Sequence, residues 1–286
     1  MTMPPLSHDL PPAALRVLSR SRPRETVHGD TRIAWHEWGD TGAKPLVLMH
    51  GGSGSWTHWL RNVEPLAASG RLVLVPDLPG FGDSVAAPGI VDADGMVEPV
   101  AAALRQMVGV AGSDVAGFSF GGMLAGLVAA AHPGLVQHLV LAGAPGFGLR
   151  AEALRLKDWR HLQEQAARDR VHRENMRELM LHDPAHIDDF AVRLHAANLA
   201  RDRVRRRRMA RTDILARTLP ALRCRVDGIW GECDQLYAGH LGELRELLGR
   251  MPNFGELVLV PQAGHWVQYE GAETFNRELL RLLDAR

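Results

Sequence analysis

The sequence predicts an α/β protein: one mostly parallel sheet, covered by helices on both faces and interrupted by a helical insertion. Three observations predict it. Apolar runs of strand length recur along the chain, each closed by turn residues. Helical patterns stand between most of them, and strand alternating with helix is the signature of an open α/β sheet. The runs are apolar throughout instead of alternating with polar residues, which suits strands buried on both faces.

In order along the chain, residues 1–23 are rich in Pro and Arg and read as an arm laid on the surface. Residues 26–33 read as a hairpin, two short β-prone runs around Gly29-Asp30. Strand candidates follow at 46–49, 72–76, 115–118, 139–141, 226–230 and 257–260, and helical patterns at 96–108, 123–131, 241–248 and 274–283. From about Ala151 to Thr218 no strand candidate occurs, only Arg, Glu, Ala, Leu and His at helical spacing with a break at Asp183-Pro184. That is too long for a simple crossover. The expected organisation is therefore a core made of residues 1–148 and 219–286, with a helical cap at 149–218.

Composition narrows the function classes. Lys plus Arg equals Asp plus Glu at 33 each, so no global field recruits nucleic acid or an anionic membrane surface. The run Arg205 to Arg208 reads as the solvated face of a polar cap helix. No segment resembles a signal peptide, and none approaches the roughly 20 apolar residues that span a bilayer. Cys224 and Cys233 have no metal-ligand spacing and fit a reduced, cytoplasmic protein. A small-molecule substrate is the expected partner, and a homo-oligomer stays compatible with the sequence.

The chemistry centres on Gly117-Phe118-Ser119-Phe120-Gly121-Gly122, a G-x-S-x-G motif between an apolar strand and a helix of small residues. A serine on a strand-to-helix turn sits in strained backbone, and Gly117 and Gly121 remove the collisions a Cβ would cause. The helix start behind it offers free N–H groups to a developing negative charge. In this context the chain resembles the α/β-hydrolase superfamily from about residue 25 onward. The strand and loop at 46–54, with His50-Gly51-Gly52, are similar to that family's oxyanion loop. The stretch 75–84, with Asp77, Pro79, Gly80, Gly82 and Ser84, is similar to its next strand and loop, and Gly264-His265 stands where its catalytic histidine usually does.

Of 14 histidines, His265 follows the last strand candidate through a short loop, on the side where strand C-termini line a site. His50, the competing choice, precedes a glycine-rich turn and is usually structural in the family. The acid should lie between serine and histidine. Asp234 lies past the C-terminus of strand 226–230, Asp227 lies at its other end, and Glu232 is the nearest rival. The loop 142–148 carries no acid that could replace Asp234. The expected triad is Ser119, His265 and Asp234, a mechanism that calls for no cofactor or metal. Phe120 N–H, and by resemblance Gly52 N–H, would form the oxyanion hole.

Trp56, His58, Trp59, Phe118, Phe120, Phe147 and Trp266 suggest an apolar pocket beneath the cap. The predicted function is a serine hydrolase of a small, largely apolar carbonyl substrate of the carboxylic ester type. The stretch 264–270 with Phe275-Asn276 resembles the meta-cleavage product hydrolases, which cut a carbon–carbon bond in dienoates from aromatic degradation. That family tends to carry asparagines where this chain has Phe118 and His58, and it needs a cap arginine, for which Arg193 is a candidate. C–C bond hydrolysis is thus an alternative, as are lactone hydrolysis, metal-free haloperoxidase chemistry and, from another class, a ligand-binding receptor on a hydrolase scaffold.

Overall fold

The structure is a computed structural model that describes residues 10–149, 154–204 and 206–285. Residues 1–9 of the expected arm, 150–153 of the expected cap and Arg205 of its basic run lie outside the described residues.

An antiparallel hairpin opens the sheet. β1 (Arg22–His28) and β2 (Thr31–Trp38) pair from Arg22↔Glu37 to His28↔Thr31. Gly29 supplies the positive φ, 55°, that a two-residue hairpin turn requires. β2 then pairs antiparallel with β4 (Arg71–Pro76). The remaining pairings, through β3 (Lys44–Met49), β5 (Ser113–Phe118), β6 (Val136–Ala142), β7 (Arg225–Gly231) and β8 (Phe254–Val260), are parallel. The eight strands run in the order β1-β2-β4-β3-β5-β6-β7-β8. Each apolar run read from the sequence lies inside one of these strands, and the fold is the expected α/β sheet.

Why the runs do not alternate is visible in β3. Leu46 and Leu48 join one buried cluster, and Val47 and Met49 join the other, across the sheet. One face is covered by α3 (Ala93–Val108), α4 (Phe120–Ala131) and α8 (Leu241–Gly249), the other by α1 (Pro12–Leu18), α2 (Val63–Ala68), the short α9 (Val267–Glu270) and α10 (Ala272–Asp284). Both faces of the strand are dry, so both side-chain sets must be apolar. The arm corrects one expectation. Its described part forms α1, which starts on Pro12, where a missing N–H costs nothing, and buries Leu10 and Ala14.

Between β6 and β7 the described residues contain helices and no strand: α5 (Gln165–Asn175), which runs on into one π turn at Met176–Met180, then α6 (Asp189–Ala200) and α7 (Ile214–Thr218). The Asp183-Pro184 break separates α5 from α6. Asp183 is extended and its carboxylate accepts the Ala185 N–H at 2.8 Å, while Asp188 caps α6 by accepting from Ala191. α7 packs on the core helix α4, since a Cβ on Gly126 of α4 would come within 2.5 Å of Leu215. The basic run differs from its reading. Residues 206–208 are not helical; Arg206 and Arg208 are exposed, but Arg207 is half-buried over a core loop. Among the described residues no helix is long and apolar enough to cross a membrane.

Parallel register places the C-termini of β3, β5, β6, β7 and β8 at one edge: Met49 pairs with Gly117, Phe118 with Ala142, and Gly231 with Val260. β4 and β5 flank β3 on opposite sides, so the loops after β3 and β5 diverge and open a crevice, the place where open α/β sheets bind ligands.

At the other end of the strands, Asp227 is fully buried. It accepts from His138 of β6 (Nε2, 2.6 Å), Arg225 (Nε, 2.7 Å) and the backbone N–H of Glu256 in β8 (2.6 Å). Burial by itself would raise this carboxyl group's pKa; the hydrogen bonds from His138 and Arg225 outweigh it and hold the pKa below the usual carboxylate range. Asp227→Asn should therefore destabilise the fold by about 3–5 kcal/mol in urea unfolding at pH 7. A depressed folded pKa stabilises above the unfolded value of about 4 and stops doing so as pH falls through the folded value. The gap between wild type and variant should accordingly shrink below about pH 4; a gap that is flat from pH 7 to pH 3 would contradict this account.

Candidate active site

Ser119 joins β5 to α4 with φ 49° and ψ −121°, backbone that an L-residue rarely adopts. Glycines make the turn possible by close approach. A Cβ on Gly117 would lie 2.5 Å from Gly122 Cα, and one on Gly121 would lie 2.3 Å from the His50 carbonyl oxygen and 2.6 Å from that of Met49. The turn thus presses directly on the end of β3. The Ser119 N–H is spent on the Ala142 carbonyl at 2.7 Å, which ties the turn to β6 as well.

His265, on the loop after β8, places Nε2 3.0 Å from Ser119 Oγ and Nδ1 2.9 Å from Asp234 Oδ2, on the loop after β7. An ionised carboxylate can only accept, so Nδ1 carries the proton and Nε2 is left to accept from the serine hydroxyl. Asp234 is buried, and its second oxygen accepts the Leu236 N–H at 2.9 Å. Glu232 has no side-chain place in this chain of hydrogen bonds. Behind the pair stands Gly143, at φ 55°; a Cβ there would meet His265 Nδ1 at 3.1 Å and Asp234 Oδ2 at 3.3 Å.

The loop that carries His265 is held by Glu270, whose buried carboxylate accepts the backbone N–H of Gly264 (2.6 Å) and, from the insertion, those of His182 (3.0 Å) and Asp183 (2.7 Å). Trp266 N–H donates to Met180 O at 2.8 Å. The insertion is bound at a second place through Asn198 of α6, which is fully buried and hydrogen-bonded to Ser55 and Thr57. These contacts make it a roof over a cavity of about 800 Å³ that Ser119 and His265 line. That volume is in the range of small-molecule sites.

Phe120 is the first residue of α4, so its N–H has no acceptor within the helix, and both it and Gly52 line the cavity. His50 stitches the neighbouring loops together: Nδ1–H donates to Gly51 O and Nε2 accepts the Leu78 N–H, each at 2.8 Å. His58 also lines the cavity. Its Nδ1 accepts the Gly51 N–H at 3.2 Å, so its proton sits on Nε2; burial and the neighbouring histidines keep it neutral by lowering its pKa well below the ordinary value. His195 of α6, which the sequence reading missed, lines the cavity from the roof and is likewise neutral, its pKa lowered to about 3 by burial.

The expected pocket divides. Phe118 lines the cavity, its ring 5.0 Å from that of His265. Trp59 instead packs on Phe275, and Phe147 on Trp230. Trp56 stacks near Trp38 and His36. Trp266 stacks on Tyr269 at 4.1 Å and acts on the cavity only through its Nε1–H, which donates to His58 O. These four are core residues, because an aromatic near the site in sequence can point either into the cavity or under its floor. Arg193 is exposed and does not line the cavity; the arginines of the insertion on its wall are Arg160, Arg207 and Arg211. Leu149, Trp159, Leu179, Met180 and Leu199 complete an apolar wall that the helical spacing of the insertion did not single out.

Among the described residues one group could offer a metal ion three ligands, His36, Asp77 and Asp83. A cation already serves it: Arg201 Nη1 stands 3.2 Å from Asp83 Oδ1, and both Asp77 oxygens accept backbone N–H groups, from Trp56 and Asp83. The group reads as an electrostatic clasp between the loops after β3 and β4 and the insertion.

Comparison with known proteins agrees with the fold. The chain is 31% identical over 273 residues to the dihydrolipoyllysine-residue acetyltransferase component of the acetoin cleaving system of Pseudomonas putida, covering 91% of this chain and 69% of that protein. It is 29% identical over 282 residues to the 2-hydroxy-6-oxononadienedioate/2-hydroxy-6-oxononatrienedioate hydrolase 1 of Dechloromonas aromatica strain RCB, covering 89% of this chain and 91% of that one. Among solved structures, the carboxylesterase CesB of Bacillus subtilis shares the fold with a TM-score of 0.76 at 18% identity, covering 96% of each chain. The mostly parallel, helix-covered sheet is thus shared architecture, and with residues 46–278 matching its family profile the chain belongs to the alpha/beta hydrolase family.

Proposed function

We propose that this hydrolase uses Ser119 as nucleophile, His265 as general base and then general acid, and Asp234 to orient the imidazole. The observation that carries this reading is the continuous hydrogen-bonded chain, 3.0 Å and then 2.9 Å long at its two links, that opens on the roofed cavity. In this reading residues 149–218 form the cap, residues 1–148 and 219–286 form the core, and the protein acts on a small molecule in the cytoplasm.

The substrate is a small, largely apolar carboxylic ester. His265 Nε2 takes the proton from Ser119 Oγ as Oγ bonds to the carbonyl carbon. The oxyanion forms against the Phe120 and Gly52 N–H groups, and each such donor is worth about 3–4 kcal/mol of barrier. The bond to the alkoxide breaks, and the alcohol leaves with the proton from Nε2. Water then attacks the acyl carbon while His265 takes its proton; the bond to Oγ breaks, the acid leaves and Ser119 recovers its hydrogen. The apolar wall favours an apolar acyl or alcohol group, and Phe118, packed on His265, offers the substrate no polar anchor.

C–C bond hydrolysis is the second reading, favoured by the hydrolase relative from Dechloromonas aromatica. His58 supports it, because its Nε2–H can donate where the meta-cleavage enzymes tend to have asparagine; Phe118 opposes it.

p-Nitrophenyl esters of graded acyl length, set beside a meta-cleavage dienoate, separate the two readings. Wild type should turn over short and medium esters, and Ser119→Ala should lose at least about a thousandfold in kcat with its fold intact. Turnover of the variant at the wild-type rate would remove Ser119 from its role. Serine-dependent loss of the dienoate chromophore with little ester turnover would select the second reading. Asp234→Asn should lower kcat by about 10⁴, because an amide in this place favours the wrong imidazole tautomer; a loss below tenfold would show that another group orients His265.

A further inference from the structure

The insertion reaches the loop after β3 through Asp202 and Arg207. Ser53, next to Gly52, is a non-glycine residue with φ 54°, in the left-handed region that side chains disfavour. Among the described residues its side chain has no hydrogen-bond partner within the loop. Its hydroxyl, however, donates to Asp202 Oδ2 at 2.6 Å and accepts from Arg207 Nη2 at 2.9 Å. Arg207 Nη1 donates to the same Asp202 oxygen at 2.9 Å, which closes a three-membered ring of hydrogen bonds. The other Asp202 oxygen is spent on the Val204 N–H at 3.0 Å.

The ring sits against the proposed oxyanion donor. A Cβ on Gly52 would come within 3.1 Å of Arg207 Cδ and Nε, so the arginine stem lies directly over the Gly52 backbone. Asp202 is nearly buried, at 5% side-chain exposure, so its carboxylate depends on these partners more than on water. The segment is also pinned on the next loop: Arg203 donates to the carbonyls of Gly82 (2.9 Å) and Ser84 (2.6 Å), and Arg201 pairs with Asp83. The charge of Arg207 is matched by Asp202, and an anionic ligand would have to displace that carboxylate to use it.

We propose that Asp202 and Arg207 are positioning residues for the oxyanion hole: reaching across from the insertion, they hold Ser53 in its left-handed conformation and thereby fix the direction of the Gly52 N–H. The proposal rests on the reading of Ser119 as nucleophile and Gly52 as oxyanion donor. It makes the site complete only when Asp202 and Arg207 are docked on the loop. A backbone donor misdirected by a fraction of an ångström loses most of its effect on the transition state while substrate binding changes little.

The experiment is a double-substitution cycle on the full chain, reading kcat and KM with a p-nitrophenyl ester. Asp202→Ala should lower kcat about 10- to 100-fold with KM within about threefold. Glycine takes a positive φ without help. In a Ser53→Gly background the same Asp202→Ala change should therefore cost less than about threefold relative to Ser53→Gly alone. Arg207→Met, which keeps the stem over Gly52, should lower kcat and leave KM near wild type. Equal cost of Asp202→Ala in both backgrounds would overturn the proposal, and this includes a variant that merely unfolds. A rise in KM confined to esters with an anionic acyl group on Arg207→Met would overturn it in favour of substrate binding. Wild-type turnover that does not depend on Ser119 would instead remove the underlying reading; the two failures are thus distinguishable.

Discussion

The contact on which the rest of the site depends is the van der Waals packing of the β5–α4 turn against the end of β3. Gly121 lies so close to the His50 and Met49 carbonyls, and Gly117 to Gly122, that no side chain fits at either place. This closeness holds Ser119 in backbone it would otherwise leave, and it brings the start of α4 beside the loop after β3. In the proposed mechanism the Phe120 and Gly52 N–H groups, from these separate elements, serve one oxyanion. Strain of this kind persists only where the surroundings over-determine it; here two parallel neighbours, β3 and β6, and a buried helix do so.

The insertion supports the same geometry from the opposite side. It is bound by buried polar contacts to the loops after β3, β4 and β8, through Asn198, Arg201, Asp202 and the backbone around His182. Several of these are charged groups at low exposure, where an unmatched partner is costly. Roof and loops therefore fit in one arrangement, and the cavity between them is a product of that fit. Its histidines follow the same logic: His50 and His58 are buried, His195 is half-buried, and all three are neutral, so they serve as fixed donors and acceptors and, in the proposed mechanism, leave proton transfer to His265.

Much of this was legible along the chain. Strands buried on both faces need uninterrupted apolar residues, so β3 to β8 announced themselves by composition over a few positions. Ser119, Asp234 and His265 stood out because each follows a strand, and in a parallel sheet every strand C-terminus faces the same edge. Gly29 and the Asp183-Pro184 break were visible because turn chemistry is local.

Other features depend on which distant residues meet. Glu270 and the backbone of His182 and Asp183 are far apart in sequence, as are Asn198 and Thr57, and no periodicity signals such pairs. Arg207 looked like part of a solvated basic run because charge alone says nothing of burial; Asp202 and Ser53 determine its role. Trp59 and Trp266 have the composition of pocket residues and the position of core residues, a difference set by side-chain direction after packing. Local chemistry settles where the backbone turns and which element forms, since both depend on neighbours a few residues away. The roof, the pocket wall and the support of the oxyanion loop are long-range contacts, which acquire an energy only once the sheet has closed the distance.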